Sequence, residues 1–239
     1  MTPTRVQVLA RYDPIRASIQ RVLKLAEESC AKADWARAMK HVAPWAEPAA
    51  LAEASAPEML TDIALFEPNQ RGRRVFDRFL SDKASQRLSA PDFALAQRMA
   101  GAVFSIFRVA ERHEAAGLWL EDMLRGDRRL WLVDRSFEAR APEGAVFGMR
   151  LFEAEAFHAG FGIIVPVAED MLDFCVSAAA AGQRLPVRHS LAATLYGDVL
   201  SEALPPGEVE MEMMEALLDL VAPEKPAPAS TKRRRKRTG

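Results

Sequence analysis

The spacing of apolar residues changes near Gly101, and this change limits the chain to folds that combine helices with a sheet. Before it, apolar side chains recur every three or four positions, as at Ile15, Ile19 and Val22, which is the period of a helix packed on one face. After it, short runs rich in Val, Ile, Phe and Trp alternate with Gly, Asp and Pro, a pattern typical of strands joined by turns. Helical spacing returns beyond Pro166. The sequence therefore predicts an α+β protein.

Four sections follow from these changes. We expect a helical N-terminal section over residues 1–100, a small β-barrel-like section over 101–167, a helical C-terminal section over 168–222 and a disordered basic tail over 223–239. The first helix is predicted to begin at Asp13-Pro14, because aspartate caps helix N-termini and proline suits the first helical position. The tail is rich in Pro, Ala, Ser and basic residues, which bury too little apolar surface to stay folded.

The central section is predicted to hold five antiparallel strands that pair in sequential order, as a meander. We expect the strands at residues 102–110, 118–124, 129–134, 145–152 and 157–165, with tight turns at 125–128 and 142–144. Both alternating sets of side chains are apolar in the second and third strands, so both faces of the sheet should be covered. A small barrel or curled sheet packed on helices meets that requirement.

Several classes of protein are excluded. The longest uncharged stretch of the most apolar region, Ala156–Ala168, is shorter than the ~20 residues of a membrane-spanning helix. Arg11 and Asp13 interrupt the apolar core that a signal peptide needs, so we expect a cytoplasmic location. Cys30 and Cys175 belong to no CxxC pair, which argues against a zinc ribbon or a thioredoxin site. No phosphate-loop, dinucleotide-binding or serine-hydrolase motif is present, so no catalytic residue is assigned and no metal or cofactor is expected.

Charge is distributed unevenly along the chain. The 32 basic and 33 acidic residues give a formal net charge of −1. Six of the basic residues form one run, and without them 26 basic residues face 33 acidic ones, which leaves −7 on the rest of the chain. On average this body repels nucleic acid, whereas a mobile run of six cations binds phosphates without reading sequence. The run is therefore either a tether to nucleic acid or ribonucleoprotein or a solubilising segment: Lys232, Arg233, Arg234, Arg235, Lys236 and Arg237.

Two further groups of charged residues are candidate sites. The central hairpin carries four carboxylates that suit an acid/base pair or a divalent cation, although a charged hairpin end that prevents edge pairing is the simpler explanation: Glu121, Asp122, Asp127 and Asp134. Four arginines crowd a predicted helix start, where cations oppose the helix dipole, so they indicate a bound anion, a partner surface or ordinary surface charge: Arg71, Arg73, Arg74 and Arg78.

The aromatic residues of the strand region are better explained by core packing than by base stacking. No lysines are interleaved with them, and arginines are outnumbered there by acidic residues. The residues are Phe104, Phe107, Trp119, Trp131, Phe147, Phe152, Phe157 and Phe161.

Short motifs between residues 60 and 167 follow one another in an order found in a known group of proteins. They are Leu60-Thr61-Asp62, Phe66-Glu67-Pro68, Phe76-Asp77-Arg78-Phe79-Leu80, Ser105-Ile106-Phe107-Arg108-Val109 and the stretches 118–126 and 143–151. In this respect the chain resembles the main body of poorly characterised bacterial proteins, many of which end in a SEC-C motif, a short cysteine-rich zinc-binding tail. The resemblance implies a helical section that leads into a small β-barrel and supplies no catalytic residues. The SEC-C cysteines are absent here, so zinc is not carried over.

Three functions remain open at the level of sequence. The first is a non-catalytic binding or adaptor protein that contacts a protein partner, or nucleic acid through its basic tail. The second is a divalent-metal-dependent hydrolase that uses the hairpin carboxylates. The third is a homo-oligomer built on the methionine-rich segment that holds Met211, Met213 and Met214, although the oligomeric state is not fixed by the sequence.

Overall fold

Eight helices and five strands form the part of the chain that the computed structural model describes, residues 3–44, 56–126, 128–181 and 190–202. The helices are α1 (Arg5–Glu27), α2 (Lys32–Val42), α3 (Ala56–Phe66), α4 (Val75–Ser81), α5 (Ala90–Met99), α6 (Arg135–Glu138), α7 (Glu169–Ala180) and α8 (Leu191–Glu202), with a 3₁₀ helix at Lys83–Arg87. The strands are β1 (Val103–Arg112), β2 (Leu118–Asp122), β3 (Arg129–Leu132), β4 (Val146–Glu153) and β5 (His158–Pro166). The predicted α+β class is confirmed. The described residues belong to one compact unit, Met1–Ala203, and the predicted basic tail lies outside them.

The first helix begins earlier than its Asp-Pro signal suggests. Thr4 caps it, because its hydroxyl accepts a hydrogen bond from the Gln7 N–H at 3.4 Å while the Gln7 side chain accepts one from the Thr4 N–H at 2.9 Å. The predicted start was therefore wrong, and Pro14 lies inside α1. Proline cannot donate a backbone hydrogen bond, and this loss destabilises the helix. The reciprocal cap and the burial of Val8 and Tyr12 on the extended apolar face compensate for it.

The five-stranded sheet closes on itself but is not a meander. Its hydrogen-bonded order is β1-β2-β3-β5-β4, and β4 pairs back with β1. The β3–β5 pair is parallel, with Leu132 opposite His158, so the sheet is mixed and the expectation of purely antiparallel strands was wrong. The short helix α6 follows β3 and leads the chain to β4, which pairs with the edge of β1 opposite β2. β5 then pairs with both β4 and β3 and closes the sheet.

One face of the closed sheet surrounds an inner apolar cluster. Its members alternate along β1 to β4, with Phe137 of α6 beside them, and include Phe107, Val109, Leu118, Leu120, Leu130, Leu132, Phe137, Met149 and Leu151. The opposite face packs against α1, α3, α4 and α5 through an outer cluster that includes Tyr12, Val22, Phe66, Phe76, Phe79, Met99, Phe152, Phe157 and Phe161. Both faces are thus covered, and four of the strand-region aromatic residues, Phe107, Phe152, Phe157 and Phe161, are buried as core packing predicts.

A buried ionic network joins the sheet to α3 and α8. Arg150 of β4 donates from Nε and Nη2 to the two carboxylate oxygens of Asp62 at 2.8 and 3.0 Å, and its Nη2 also donates to Glu67 at 2.9 Å. The Arg150 and Asp62 side chains are only 4% and 1% exposed. The Tyr196 hydroxyl of α8 donates to Asp62 at 3.2 Å, and burial raises the pKa of that hydroxyl well above its usual value.

No helix in the described part of the chain combines the length and the apolar character needed to cross a membrane.

Candidate ligand-binding cleft

A cleft of about 550 Å³ opens at the end of the closed sheet where the β2–β3 and β4–β5 hairpins turn. Small-molecule sites in proteins commonly occupy about 300–1,000 Å³. Its lining includes three buried members of the inner apolar cluster, Phe107, Leu130 and Leu151, together with the buried Phe152 and the half-buried Val103. The cleft is therefore wide enough for a small molecule, but these apolar side chains expose little surface to it.

Three arginines line the cleft, and they differ in how they are paired. Arg98, from the last turn of α5, donates to the backbone carbonyl of Ala154. Arg128 lies 3.6 Å from a Glu153 carboxylate oxygen, an exposed pair that stabilises the fold little. Arg125 is exposed and forms no hydrogen bond or ion pair with any other described residue. Arg125 is thus the cleft arginine that has no hydrogen-bond or ion-pair partner within the described part of the chain.

Of the three carboxylates that line the cleft, one is buried and hydrogen-bonded and two are exposed. Asp122 is buried, and its Oδ1 accepts hydrogen bonds from the Ser105 hydroxyl at 2.7 Å and from the Leu124 N–H at 3.1 Å. Glu153 faces Arg128, as described above. Glu155 is exposed at the β4–β5 turn and lines a neighbouring cleft together with Arg98. The described lining residues therefore include as many carboxylates as arginines.

His158 contributes an unused hydrogen-bond acceptor to the lining. Its Nδ1 atom is buried without a partner among the described residues, and the ring forms a hydrogen bond with the Trp131 backbone. Burial lowers the pKa of His158, and Arg128 lowers it further, whereas Glu153 and the Trp131 hydrogen bond act in the opposite direction. The imidazole is therefore neutral at pH 7 and adds no positive charge to the cleft.

The hairpin carboxylates do not assemble into the site that their spacing suggested. Glu121 is exposed, 3.9 Å from Arg108, and points away from its neighbour Asp122 on the strand. Asp134 caps α6 by accepting from the Phe137 N–H at 2.9 Å, and Asp127 lies outside the described residues. Within residues 3–44, 56–126, 128–181 and 190–202, no three His, Cys, Asp or Glu side chains are arranged to hold a metal ion.

The predicted arginine group is divided between paired and unpaired side chains. Arg74 donates from Nε and Nη2 to the Asp77 carboxylate at 2.8 and 2.6 Å. Arg78 donates to Asp34 at 2.9 Å and so joins α4 to α2.

The other two members, Arg71 and Arg73, are exposed and form no ion pair with a described residue. Their backbone N–H groups donate to the Asn69 side-chain carbonyl at 2.9 and 3.1 Å, which fixes the loop before α4. The four arginines therefore do not converge on one anion. The basic run from Lys232 to Arg237 lies outside the described residues.

Sequence reasoning missed the cleft because its members come from α5, all five strands and the turns between them. The predicted turn at 125–128 was the available signal, since it places Arg125 and Arg128 together at one end of the sheet. The convergence of Arg98 and His158 on that end depends on the strand order, which no local pattern encodes.

Comparison with known proteins gives one match. Residues 7–178 match a family of unknown function, DUF7986, and this region contains every residue that lines the cleft. Neither a curated protein nor a solved structure matches the chain. The match covers well over half of the 239 residues, and the chain belongs to the DUF7986 family.

Proposed function

We propose that the protein is a non-catalytic binding protein that holds an anionic ligand in the cleft at the end of its closed sheet. The observation that carries this proposal is the exposed guanidinium of Arg125, which lines the cleft and forms no hydrogen bond or ion pair with another described residue. A guanidinium presents several N–H donors in a planar fork and pairs with carboxylate or phosphate oxygens in two parallel hydrogen bonds. Arg98 and Arg128 line the same cleft.

The hydrolase alternative has less support from the described residues. It needs the hairpin carboxylates to share a divalent cation, but Asp122 Oδ1 accepts hydrogen bonds within the hairpin and Asp134 Oδ1 caps α6. A ligand that binds only the folded state raises its melting temperature by mass action. If Mg²⁺, Mn²⁺ or Ca²⁺ raises the melting temperature and Asp122→Asn abolishes the rise, the hydrolase becomes the better proposal.

The second part of the proposal concerns the basic run. We propose that Lys232–Arg237 tethers the protein to nucleic acid or ribonucleoprotein. The resemblance to SEC-C-bearing proteins supports a recruiting role, since those proteins carry a zinc-binding motif in addition to their main body. The negative balance of the remaining residues supports it as well, because the body itself repels phosphates.

The cleft is tested by thermal unfolding of the full chain with acetate, phosphate and longer carboxylates, in the native protein and in Arg125→Gln. A ligand at a hundred times its Kd stabilises the folded state by about 2.7 kcal/mol, which raises Tm by roughly 5–10 °C for a domain of this size. We expect Arg125→Gln to abolish the rise. Arg71→Gln is the matched control, because Arg71 is also exposed and unpaired but lies outside the cleft. Equal rises in all three proteins would refute the proposed site.

The tether is tested with labelled single- and double-stranded RNA and DNA. The full chain is compared with a variant in which all six basic residues of Lys232–Arg237 are glutamine. If six phosphates are neutralised, the association constant should fall about 10³-fold between 50 and 200 mM salt. Binding that survives the substitution would place any nucleic-acid site in the body of the protein.

A further inference from the structure

We infer that the ligand of the cleft is a small zwitterion, such as a free amino acid, which carries an ammonium group as well as a carboxylate. This inference rests on the proposed function, because the carboxylate of the zwitterion is the anionic group that Arg125 binds. It adds a cationic group to the ligand and assigns Asp122 as the partner of that group. The supporting observations are the buried Asp122 carboxylate, the charge balance of the lining and the small exposure of its apolar side chains.

Asp122 is a buried carboxylate that has no counter-charge within the described part of the chain. The residue is only 4% exposed, and it forms no ion pair with any described arginine, lysine or histidine. Its Oδ1 accepts hydrogen bonds from Ser105 and Leu124, whereas its Oδ2 accepts none from a described residue. A carboxylate removed from water is costly unless a donor or a cation compensates it. Because Asp122 lines the cleft, the ammonium group of a ligand can supply both.

His158 adds a second acceptor to the same lining. Its Nδ1 atom has no hydrogen-bond partner among the described residues, and the neutral ring has no charge that would repel an ammonium group. An ammonium group has three N–H donors and can therefore serve more than one acceptor. A simple carboxylate has no donor and would leave these acceptors unsatisfied.

The charge balance of the lining favours a ligand without net charge. The lining holds three arginines and three carboxylates, and Arg128 already lies 3.6 Å from Glu153. A monoanion or a triphosphate would bring uncompensated negative charge to these carboxylates, whereas a zwitterion offers each of its charges an opposite charge. Asp122 and Arg125 are three positions apart on one hairpin, so their Cα atoms lie within about 11 Å of each other. One small molecule can therefore contact both.

The apolar part of the lining does not favour an apolar ligand. Phe107, Leu130 and Leu151 are 2%, 6% and 4% exposed, so little of their surface is available for contact. A long aliphatic group would bury little apolar surface on these side chains and gain little affinity from them. The body of the zwitterion is therefore small or polar.

The test is calorimetric titration of the full chain with alanine and with two analogues that each lack one of its charges. Propanoate lacks the ammonium group, and alaninamide lacks the carboxylate. Alanine should bind about tenfold or more tightly than either analogue, because each analogue loses one charge-assisted contact. Leucine should bind no more tightly than alanine, since its larger apolar group finds little exposed apolar surface.

Two variants assign the two contacts separately. Asp122→Asn keeps the oxygen that accepts from Ser105 and Leu124 and replaces only the other oxygen, so it should weaken alanine binding about tenfold and leave propanoate binding unchanged. Arg125→Gln should weaken the binding of alanine and propanoate and leave alaninamide binding unchanged. Glu121→Gln is the matched control, because Glu121 is the exposed neighbour of Asp122 and lies outside the lining.

The outcomes separate this inference from the proposed function. Equal affinities for alanine and propanoate, both lost in Arg125→Gln, would overturn the cationic contact and keep an anion site. Leucine binding about tenfold more tightly than alanine would overturn the small or polar body. If neither amino acid binds but phosphate or acetate raises the melting temperature through Arg125, the zwitterion is wrong and the anion site stands. Alanine binding that neither Asp122→Asn nor Arg125→Gln changes, or no binding of any of these molecules, would overturn both.

Discussion

Replacement of Arg150 by methionine should destabilise the protein far more than the same replacement at an exposed ion pair. Arg150 holds Asp62 and Glu67 through three hydrogen bonds, and its side chain is 4% exposed. Methionine is similar in length but has no donor, so both carboxylates lose their counter-charge in a site closed to water.

The size of the loss follows from burial. Removal of one partner from a buried ion pair costs about 3–5 kcal/mol, because the remaining charge is left without compensation. Arg74 provides the comparison, since it binds Asp77 with the same two nitrogen atoms at 2.8 and 2.6 Å. Its side chain is 27% exposed and that of Asp77 is 46% exposed, so Arg74→Met should cost less than about 1 kcal/mol.

Urea unfolding followed by circular dichroism measures both losses, and a double-mutant cycle isolates the pairwise part. Arg150→Met, Asp62→Asn and the double variant should give a coupling free energy of about 2–3 kcal/mol. The cycle at Arg74 and Asp77 should give about 0.5 kcal/mol or less. Equal losses at the two arginines, or a coupling below about 1 kcal/mol at Arg150, would refute the argument that burial makes this pair strong.

Three other predictions concern stability. Gly117→Ala should prevent stable folding, because the φ of Gly117 is +84° and an added Cβ would lie 2.0 Å from a β3 carbonyl oxygen. Gly126→Ala is the comparison, since Gly126 has a φ of +55° but an added Cβ would meet no described atom beyond its chain neighbours within 4 Å. It should reduce the free energy of unfolding by only about 1–2 kcal/mol in the same assay. Burial lowers the pKa of His158 in the folded state, so the unfolded state binds more protons below pH 6.5. The free energy of unfolding should therefore fall between pH 7 and pH 5. His158→Gln should reduce that fall, as measured by urea unfolding at the two pH values. The hydrogen bonds that Asp92 accepts from arginine and serine side chains lower the pKa of its carboxyl to about 2. The ionised carboxylate therefore stabilises the folded state by about 2 kcal/mol above pH 4, and this stabilisation is lost towards pH 2. Asp92→Asn should accordingly be destabilising at pH 7 but nearly neutral at pH 2.

Local patterns located the strands well because alternation and turn residues are local properties. Every strand boundary lies within two residues of its predicted position, as at the β4 start, predicted at Ala145 and found at Val146. The order of the strands was not predictable in the same way, since the pairing of β5 with β3 joins residues that no turn connects. The four-residue helix α6 was also missed, because one turn of helix is too short to show a period.

The candidate site was less predictable than the fold. Arg125 was expected in a tight turn, but it became a candidate because it has no partner among the residues that the structure describes, which only the folded arrangement shows. The surroundings of the hairpin carboxylates were also not predictable, since Asp122 and Asp134 have partners that their own sequence neighbourhoods only partly supply. The Asp62–Arg150 pair spans 88 positions, and nothing near either residue marks it as buried.

The strand order has a consequence for synthesis of the protein on the ribosome. Once residues up to Glu153 have emerged, β3, β2, β1 and β4 can pair as an open sheet with β3 and β4 at its two edges. β5 is made last and binds both of those edges. Until it emerges, the nascent chain carries two rows of unpaired backbone groups, which other chains can bind as additional strands. A pause in translation after β4 has left the ribosome and before β5 has done so would therefore hold the chain at the point where it is most exposed to aggregation.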